Sequence, residues 1–145
     1  MVGTVDSEAE MRQVQGIRQT VFVEEQGIPL ELERDGRDAE ATHVLVRIGV
    51  APVATGRLVD VAEGVGKIER IAVLRPFRGR GLGRRVVGRL EELAERAGLH
   101  TLQLEPHHFL EAFYESQGYR TISGTVTAGP HRLIRMEKTI RREEP

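Results

Sequence analysis

Arg78-Gly79-Arg80-Gly81-Leu82-Gly83 stands between two segments of opposite periodicity. Upstream, Lys67-Ile68-Glu69-Arg70-Ile71-Ala72-Val73-Leu74 carries the β-branched residues of a buried strand. Downstream, Leu82, Val86, Leu90, Leu93, Ala94 and Ala97 recur at helical spacing. A strand therefore runs through a glycine-rich turn into a helix N-terminus, where unpaired backbone N–H groups meet the positive end of the helix dipole. Arg78, Arg80, Arg84 and Arg85 add positive charge to the same turn. Such a turn is built for an anion, and phosphate is the usual one.

Two phosphate motifs do not fit. A P-loop requires Gly-Lys-Ser/Thr at its end, and no Lys-Ser or Lys-Thr pair follows these glycines. A dinucleotide fingerprint requires Gly-x-Gly-x-x-Gly, whose third glycine would fall on Arg84 or on Val86. Arg/Gln-x-x-Gly-x-Gly/Ala does fit, as Arg78-x-x-Gly81-x-Gly83. Here the chain resembles the GNAT family of acetyl-coenzyme A-dependent N-acyltransferases, in which this turn cradles the coenzyme A pyrophosphate.

Composition narrows the alternatives. At 145 residues one domain with a continuous core is expected, spanning 1–145. Hydrophobic residues at 39% beside charged residues at 30% describe an ordinary soluble globule. A net charge of −1 argues against nucleic acid as a main partner despite the local arginines. No apolar run approaches membrane-spanning length, and no basic-then-apolar leader opens the chain, so neither a membrane partner nor secretion is expected. The absence of cysteine excludes disulfides, thiolate catalysis and cysteine-ligated zinc, and favours the cytoplasm.

Periodicity predicts a helix capped by Asp6 or Ser7 and running through Met11, Val14, Ile17, Val21 and Phe22 towards Gly27. Residues 31–40 read as an acidic loop or short helix, and 42–48 and 52–61 as a hairpin turning at Gly49. A strand ending at Leu74 precedes the long helix, which Gly98 stops. A short strand at 101–104, a helix at 109–117, and a final strand pair at 119–127 and 132–140 complete the chain. The fold class is α/β, with a mixed sheet flanked by helices. The same order of elements occurs in GNAT proteins, whose fold implies a mostly antiparallel sheet with splayed central strands.

A second resemblance is narrower. Arg18-Gln19-Thr20-Val21-Phe22-Val23-Glu24-Glu25-Gln26 resembles the Arg-x-x-Val-Phe-Val-x-Glu-Gln signature of the ElaA/YjcF-like branch of GNATs. Asp35-Gly36-Arg37-Asp38, His43, Ala54-Thr55-Gly56-Arg57-Leu58, Glu69-Arg70-Ile71-Ala72-Val73 and Phe113-Tyr114-Glu115-Ser116-Gln117-Gly118-Tyr119 continue the pattern, with His131 and Met136 near its end. One departure is that Pro106-His107 stands where many relatives carry Ala-Gln. The Val-Phe-Val-x-Glu-Gln run is also similar to acyl-homoserine lactone synthases, which would take a longer acyl donor.

The resemblance implies site residues. Ile71, Ala72 and Val73 would present backbone groups to the pantetheine arm and thioester. Arg78, Gly79, Arg80, Gly81, Leu82, Gly83 and Arg84 would bind pyrophosphate, with Phe113 and Tyr114 also on the cofactor. Tyr114 would protonate the departing thiolate, since a phenol of pKa about 10 suits a thiol near 8.5. Glu69 would take the amine proton, sharing strand parity with Ile71 and Val73; pairing with Arg57 or Arg70 is its structural alternative, and Glu25 and His107 are further candidate bases. Glu25, Gln26, His43, Arg57, His107 and His131 would line the acceptor side. Acetyl-coenzyme A is the expected donor and a small primary amine the acceptor, with no metal required. A non-catalytic acyl-coenzyme A-binding sensor or assembly module is the competing function. The last strand pair supports dimers in this fold, so a homodimer stands beside a monomer.

Overall fold

The computed structural model describes residues 2–128 and 131–140, with side chains described outside 124–130. The turn expected around Ala128-Gly129-Pro130 lies outside the described residues at Gly129 and Pro130. Seven strands form one sheet: β1 (Val2–Thr4), β2 (Thr42–Ile48), β3 (Ala51–Ala62), β4 (Val65–Val73), β5 (Thr101–Leu104), β6 (Arg120–Ala128) and β7 (His131–Thr139). Their order is β1-β2-β3-β4-β5-β7-β6. The β1–β2, β2–β3, β5–β7 and β6–β7 pairs are antiparallel, and β4–β5 is parallel over Val65↔Thr101, Gly66↔Leu102 and Lys67↔Gln103. The sheet is mixed and flanked by helices, as the sequence implied.

Packing divides the chain into two compact units. One unit comprises the chain up to Val59 with Ile68–Leu93. It holds α1 (Glu8–Arg18), a π-helical turn (Gln19–Glu25), the one-turn α2 (Leu30–Glu33) and most of α3 (Leu82–Arg96). Ser7 caps α1: its hydroxyl accepts from Glu10 N at 3.1 Å, and Glu10 Oε1 reaches back past the cap to accept from Asp6 N. The apolar stripe of this helix packs Val14, Ile17 and Val21 against Leu45 and Ala72. The expected single helix to Gly27 instead changes to π-winding after Arg18, which shifts the exposed and buried faces of the Phe22–Glu25 segment.

The opposite face of this part of the sheet carries Gly56, which pairs with Val44 rather than Leu45. A β-carbon there would lie 2.5 Å from Val86 Cγ1, 3.2 Å from Leu90 Cδ1 and 3.5 Å from Ile71 Cγ1. Glycine is therefore required for α3 to seat on the strands, which in turn fixes where the helix begins.

The other unit comprises Asp60–Lys67 and the chain from Ala94 onward. Its core contains Leu99, Leu102, Leu104, Tyr114, Tyr119, Ile134 and Met136. The helix expected over 109–117 is shorter, a 3-10 turn at His108–Leu110 followed by α4 (Glu111–Glu115). Lys67 Nζ and Arg135 Nη2 both reach Glu105 at 2.6 Å, tying β4, β5 and β7 together within this unit.

Candidate active site

The glycine-rich turn has the predicted form. After β4 ends at Val73, Arg75–Phe77 makes a 3-10 turn, Gly79 and Gly81 take φ of 80° and 76°, and α3 starts at Leu82. Only glycine enters that left-handed region without steric cost. Open space surrounds both glycines, so backbone conformation rather than crowding selects them. Arg85 N donates to Gly81 O at 3.1 Å, so Leu82, Gly83 and Arg84 precede the first helical bond and their N–H groups point out of the helix end. Leu82 is buried and anchors the turn, while Arg80 and Arg84 are exposed. The Arg80 guanidinium sits 5.4 Å over the Phe77 ring.

Arg78 is held by two partners. Its Nε donates to Val73 O at 2.8 Å, and its Nη2 donates to both Glu25 oxygens at 3.0 and 3.2 Å. Arg75 Nη2 also reaches Glu25 Oε2, at 3.5 Å. The Arg78 hydrogen bond holds the Glu25 carboxyl below its ordinary pKa, which makes it a poor proton acceptor. Gln26 closes the same π-helical turn, its N–H donating to Val23 O.

On the α1 face of the same unit lies an ion network that the sequence reading assigned only in part. Arg18 and Arg57 are both fully buried. Arg18 Nε and Nη2 donate to Glu33 at 2.8 and 2.6 Å, and Nη1 donates to Asp38 at 2.7 Å. Arg57 donates to Asp35 at 2.5 and 3.1 Å, to Asp38 at 2.9 Å and to Glu69 at 2.9 Å. Arg70 adds bonds to Glu69 and Asp35, each at 3.3 Å, and to the Leu32 and Glu33 carbonyls at 3.4 Å. Arg57 thus faces carboxylates on every described contact, and Glu69 shows the paired arrangement that was its structural alternative. Arg18 and Asp38 lie within the stretches that carry the branch resemblance but had no role there, Glu33 falls in the acidic 31–40 stretch, and Arg70 was the alternative partner of Glu69. A charged residue beside Ile17 on an apolar helix stripe was the available signal for a buried pair.

Arg70 also alters the strand. Its φ is 57°, the left-handed region that side chains rarely enter, and it sits inside β4. Glu69 bonds Arg57 on the α1 face, whereas Ile71 meets the Gly56–Val86–Leu90 face. In a regular strand residues two apart share a face. The expected parity of Glu69 with Ile71 is therefore corrected: the kink at Arg70 turns them to opposite faces and re-aims the backbone groups of 70–72. Ala72 returns to the α1 face core.

His43 is also on the α1 face, 5% exposed, with Nε2 2.9 Å from the Asp38 carbonyl. A carbonyl only accepts, so Nε2 carries the proton and Nδ1 is left as an unpartnered acceptor. Burial lowers the His43 pKa, keeping the ring neutral.

In the second unit, Tyr114 on α4 is buried, its ring edge-on to Phe113 at 5.0 Å and to Tyr119 at 5.9 Å. Burial pushes its hydroxyl up to about 12, so it is a protonated donor at any physiological pH. Phe113 is exposed. His107 stacks on Phe109 at 5.2 Å and meets the His131 ring edge-on at 5.0 Å. Burial, then the His131 and His108 charges, lower the His107 pKa. Among the described residues no group of three or more potential ligands gathers as a metal site.

The acetyltransferase (GNAT) family model matches residues 9–119. The chain belongs to the GNAT acetyltransferase family. The uncharacterised N-acetyltransferase YjcF of Bacillus subtilis is 35% identical over 117 residues, 81% of this chain and 83% of its own. Among solved structures, an acyl-CoA N-acyltransferase from Pseudomonas aeruginosa superposes with a TM-score of 0.87 at 26% identity, covering 96% and 99% of the two chains. Escherichia coli ElaA superposes with a TM-score of 0.84 at 21% identity, covering 95% and 99%, which speaks to the fold. These relatives agree with the ElaA/YjcF-like branch within the GNAT family, and family membership makes the protein an acyltransferase of the acyl-CoA-using kind.

Proposed function

We propose that this GNAT protein transfers an acetyl group from acetyl-coenzyme A to a primary amine of a small molecule or peptide, directly within a ternary complex. The observation that carries this reading is the turn from Arg78 to Arg84, with two left-handed glycines, three outward helix-end N–H groups and the Arg78 guanidinium. It suits a pyrophosphate, which takes several N–H donors and a forked cation together. Leu82 holds the turn, and the backbone of Ile71, Ala72 and Val73 would receive the pantetheine arm.

In the transfer, the neutral amine nitrogen bonds to the acetyl carbonyl carbon and the carbon–sulfur bond breaks. Glu69, directly or through water, takes the amine proton; Tyr114 gives its proton to the leaving thiolate and regains one from solvent. Phe113 is the further cofactor residue of this reading. Gln26, His43, His107 and His131 are the remaining residues of the acceptor-side reading, with His43 acting through Asp38. Arg57 serves this reading as the partner that holds Glu69. The lack of cysteine supports a reducing, cytoplasmic setting.

The reading is tested by calorimetric titration of acetyl-coenzyme A into the protein beside an Arg78→Ala, Gly81→Asp control, followed by a primary-amine panel with free-thiol detection. Micromolar binding lost in the control, with thiol release from one amine class, is expected. Binding with no turnover across the panel would favour a sensor, a reading supported by the commitment of Glu69 to Arg57 and Arg70.

A further inference from the structure

The Glu25 carboxylate occupies the guanidinium that the proposed function assigns to pyrophosphate. Arg78 Nη2 lies 3.0 Å from Glu25 Oε2 and 3.2 Å from Oε1, and Arg75 approaches the same carboxylate at 3.5 Å. Glu25 is largely covered, with an 18% exposed side chain, while Arg78 and Arg75 are 41% and 76% exposed. The carboxylate is therefore the more covered partner, and the arginines are the more open ones. Glu25 ends the π-helical turn, where the added residue per turn re-aims the side chains after Arg18. The Arg78 Nε bond to Val73 O further ties the guanidinium to the end of β4. The other charged groups facing Glu25 among the described contacts are these two arginines, so its surroundings without cofactor are cationic.

We propose that Glu25 is a positioning residue that stands in for the cofactor's pyrophosphate on Arg78, so that donor binding is an exchange of one anion for another on the same guanidinium. This inference rests on the donor-site reading above. A carboxylate accepts the guanidinium fork in the same geometry as a phosphate, so the two compete for Nη2. The exchange has two consequences. Glu25 keeps Arg78 pre-aimed when no cofactor is bound, and it weakens the hold on both acetyl-coenzyme A and the coenzyme A product. Re-forming the Glu25–Arg78 pair would then assist product departure, a step that limits turnover in many transferases with tight cofactor sites. Glu25 acts in this scheme as neither base nor acceptor contact.

The experiment is calorimetric titration of coenzyme A into the wild-type protein, Glu25→Gln, Arg78→Ala and the double variant. Glu25→Gln removes the competing charge and keeps the shape, so coenzyme A is expected to bind about three- to fivefold more tightly, the range of one exposed ion pair. In the Arg78→Ala background the same substitution should change affinity by less than about twofold, because Glu25 acts through Arg78. Glu25→Asp should restore wild-type affinity more nearly than Glu25→Gln does. Between pH 7 and pH 5 the gap between wild type and Glu25→Gln should narrow, since pyrophosphate strips Glu25 of its cations and lets it take up a proton. Weaker binding by Glu25→Gln, or equal tightening with and without Arg78, would overturn the exchange. Failure of the wild-type protein to bind coenzyme A would overturn the donor-site reading itself, a separate outcome from either of these.

Discussion

Arg57 Nη2 donates to Glu69 Oε2 at 2.9 Å, from a guanidinium with no exposed surface. The same guanidinium holds Asp35 and Asp38, so one buried cation fixes the strand that carries Glu69 and the acidic segment after α2. The candidate base is therefore positioned by the element that keeps the acidic loop folded. With Glu69 in its proposed role as base, stability and activity meet at this one residue.

Replacing the arginine tests that coupling. Arg57→Leu leaves Asp35, Asp38 and Glu69 without their shared partner and should cost about 3–5 kcal/mol at pH 7, the usual penalty for breaking a buried pair. Arg57 hydrogen bonding holds the Asp35 carboxyl well below its ordinary value. Burial raises the Asp38 carboxyl, but hydrogen bonding and charge from Arg18 and Arg57 outweigh it and the net direction is down. A carboxyl lowered in the folded state adds stability above its unfolded pKa, near 4, and loses it as pH falls through the folded value. Urea unfolding of both proteins at pH 7 and pH 3 should show the difference shrinking at the lower pH. A difference independent of pH would mean that packing, not the ion network, carries the loss.

His43 gives a second pH dependence in a different window. Its lowered pKa means the folded state resists protonation, because Nδ1–H would be buried without an acceptor. That contribution is present above the unfolded pKa near 6.5 and is lost as pH falls below it. The wild-type protein should lose stability between pH 6.5 and pH 5, and His43→Gln should flatten that slope while lowering stability modestly at pH 7.5. Thermal unfolding across pH 5 to 8 reads both; parallel slopes for the two proteins would show that His43 does not titrate in this window.

Much of this arrangement could be read from the chain. The strand–turn–helix at 67–97 was legible because periodicity changes from two to helical across a glycine pair, a local signal. The Ser7 cap was legible for the same reason. The kink at Arg70 was not, since nothing in an otherwise regular β-branched run marks a left-handed arginine; in the fold its side chain pairs with Glu33 and Asp35, far off in sequence, and with the adjacent Glu69. The π-winding begins directly after Arg18, the arginine clamped by Glu33 and Asp38, a coincidence that no local sequence signal marks. The charges were visible, but their pairing joins residues far apart in sequence.

Two glycine substitutions of opposite sign test how α3 is seated. Gly56→Ala places a β-carbon 2.5 Å from Val86 Cγ1, a stiff β-branched side chain on a buried helix face. Strain of about 1–3 kcal/mol is expected. Because α3 begins at the donor turn, coenzyme A affinity should fall as well. Gly16→Ala, in the last turn of α1 with open space around it, should instead stabilise by roughly 0.5–1 kcal/mol and leave affinity unchanged. Denaturant midpoints with parallel calorimetry measure both. A neutral Gly56→Ala would mean that α3 can lift from β3 without disturbing the site.

Tyr114→Phe separates proton donation from packing. The ring is buried against Phe113 and Tyr119, and phenylalanine preserves those edge-on contacts while removing only the hydroxyl. Stability should change by less than about 1 kcal/mol. If the hydroxyl protonates the leaving thiolate, kcat should fall about a hundredfold with little change in the KM for acetyl-coenzyme A, because the lost interaction belongs to the transition state. The hydroxyl's pKa, pushed up to about 12 by burial, adds a constraint on the pH profile. A group raised that far stays protonated through the assay range, so the wild-type rate should show no alkaline decline from this residue up to pH 10. Steady-state kinetics with the amine identified in the panel, from pH 6 to pH 10, decide the matter. An unchanged kcat in Tyr114→Phe would assign the residue to the core alone and pass the proton to water.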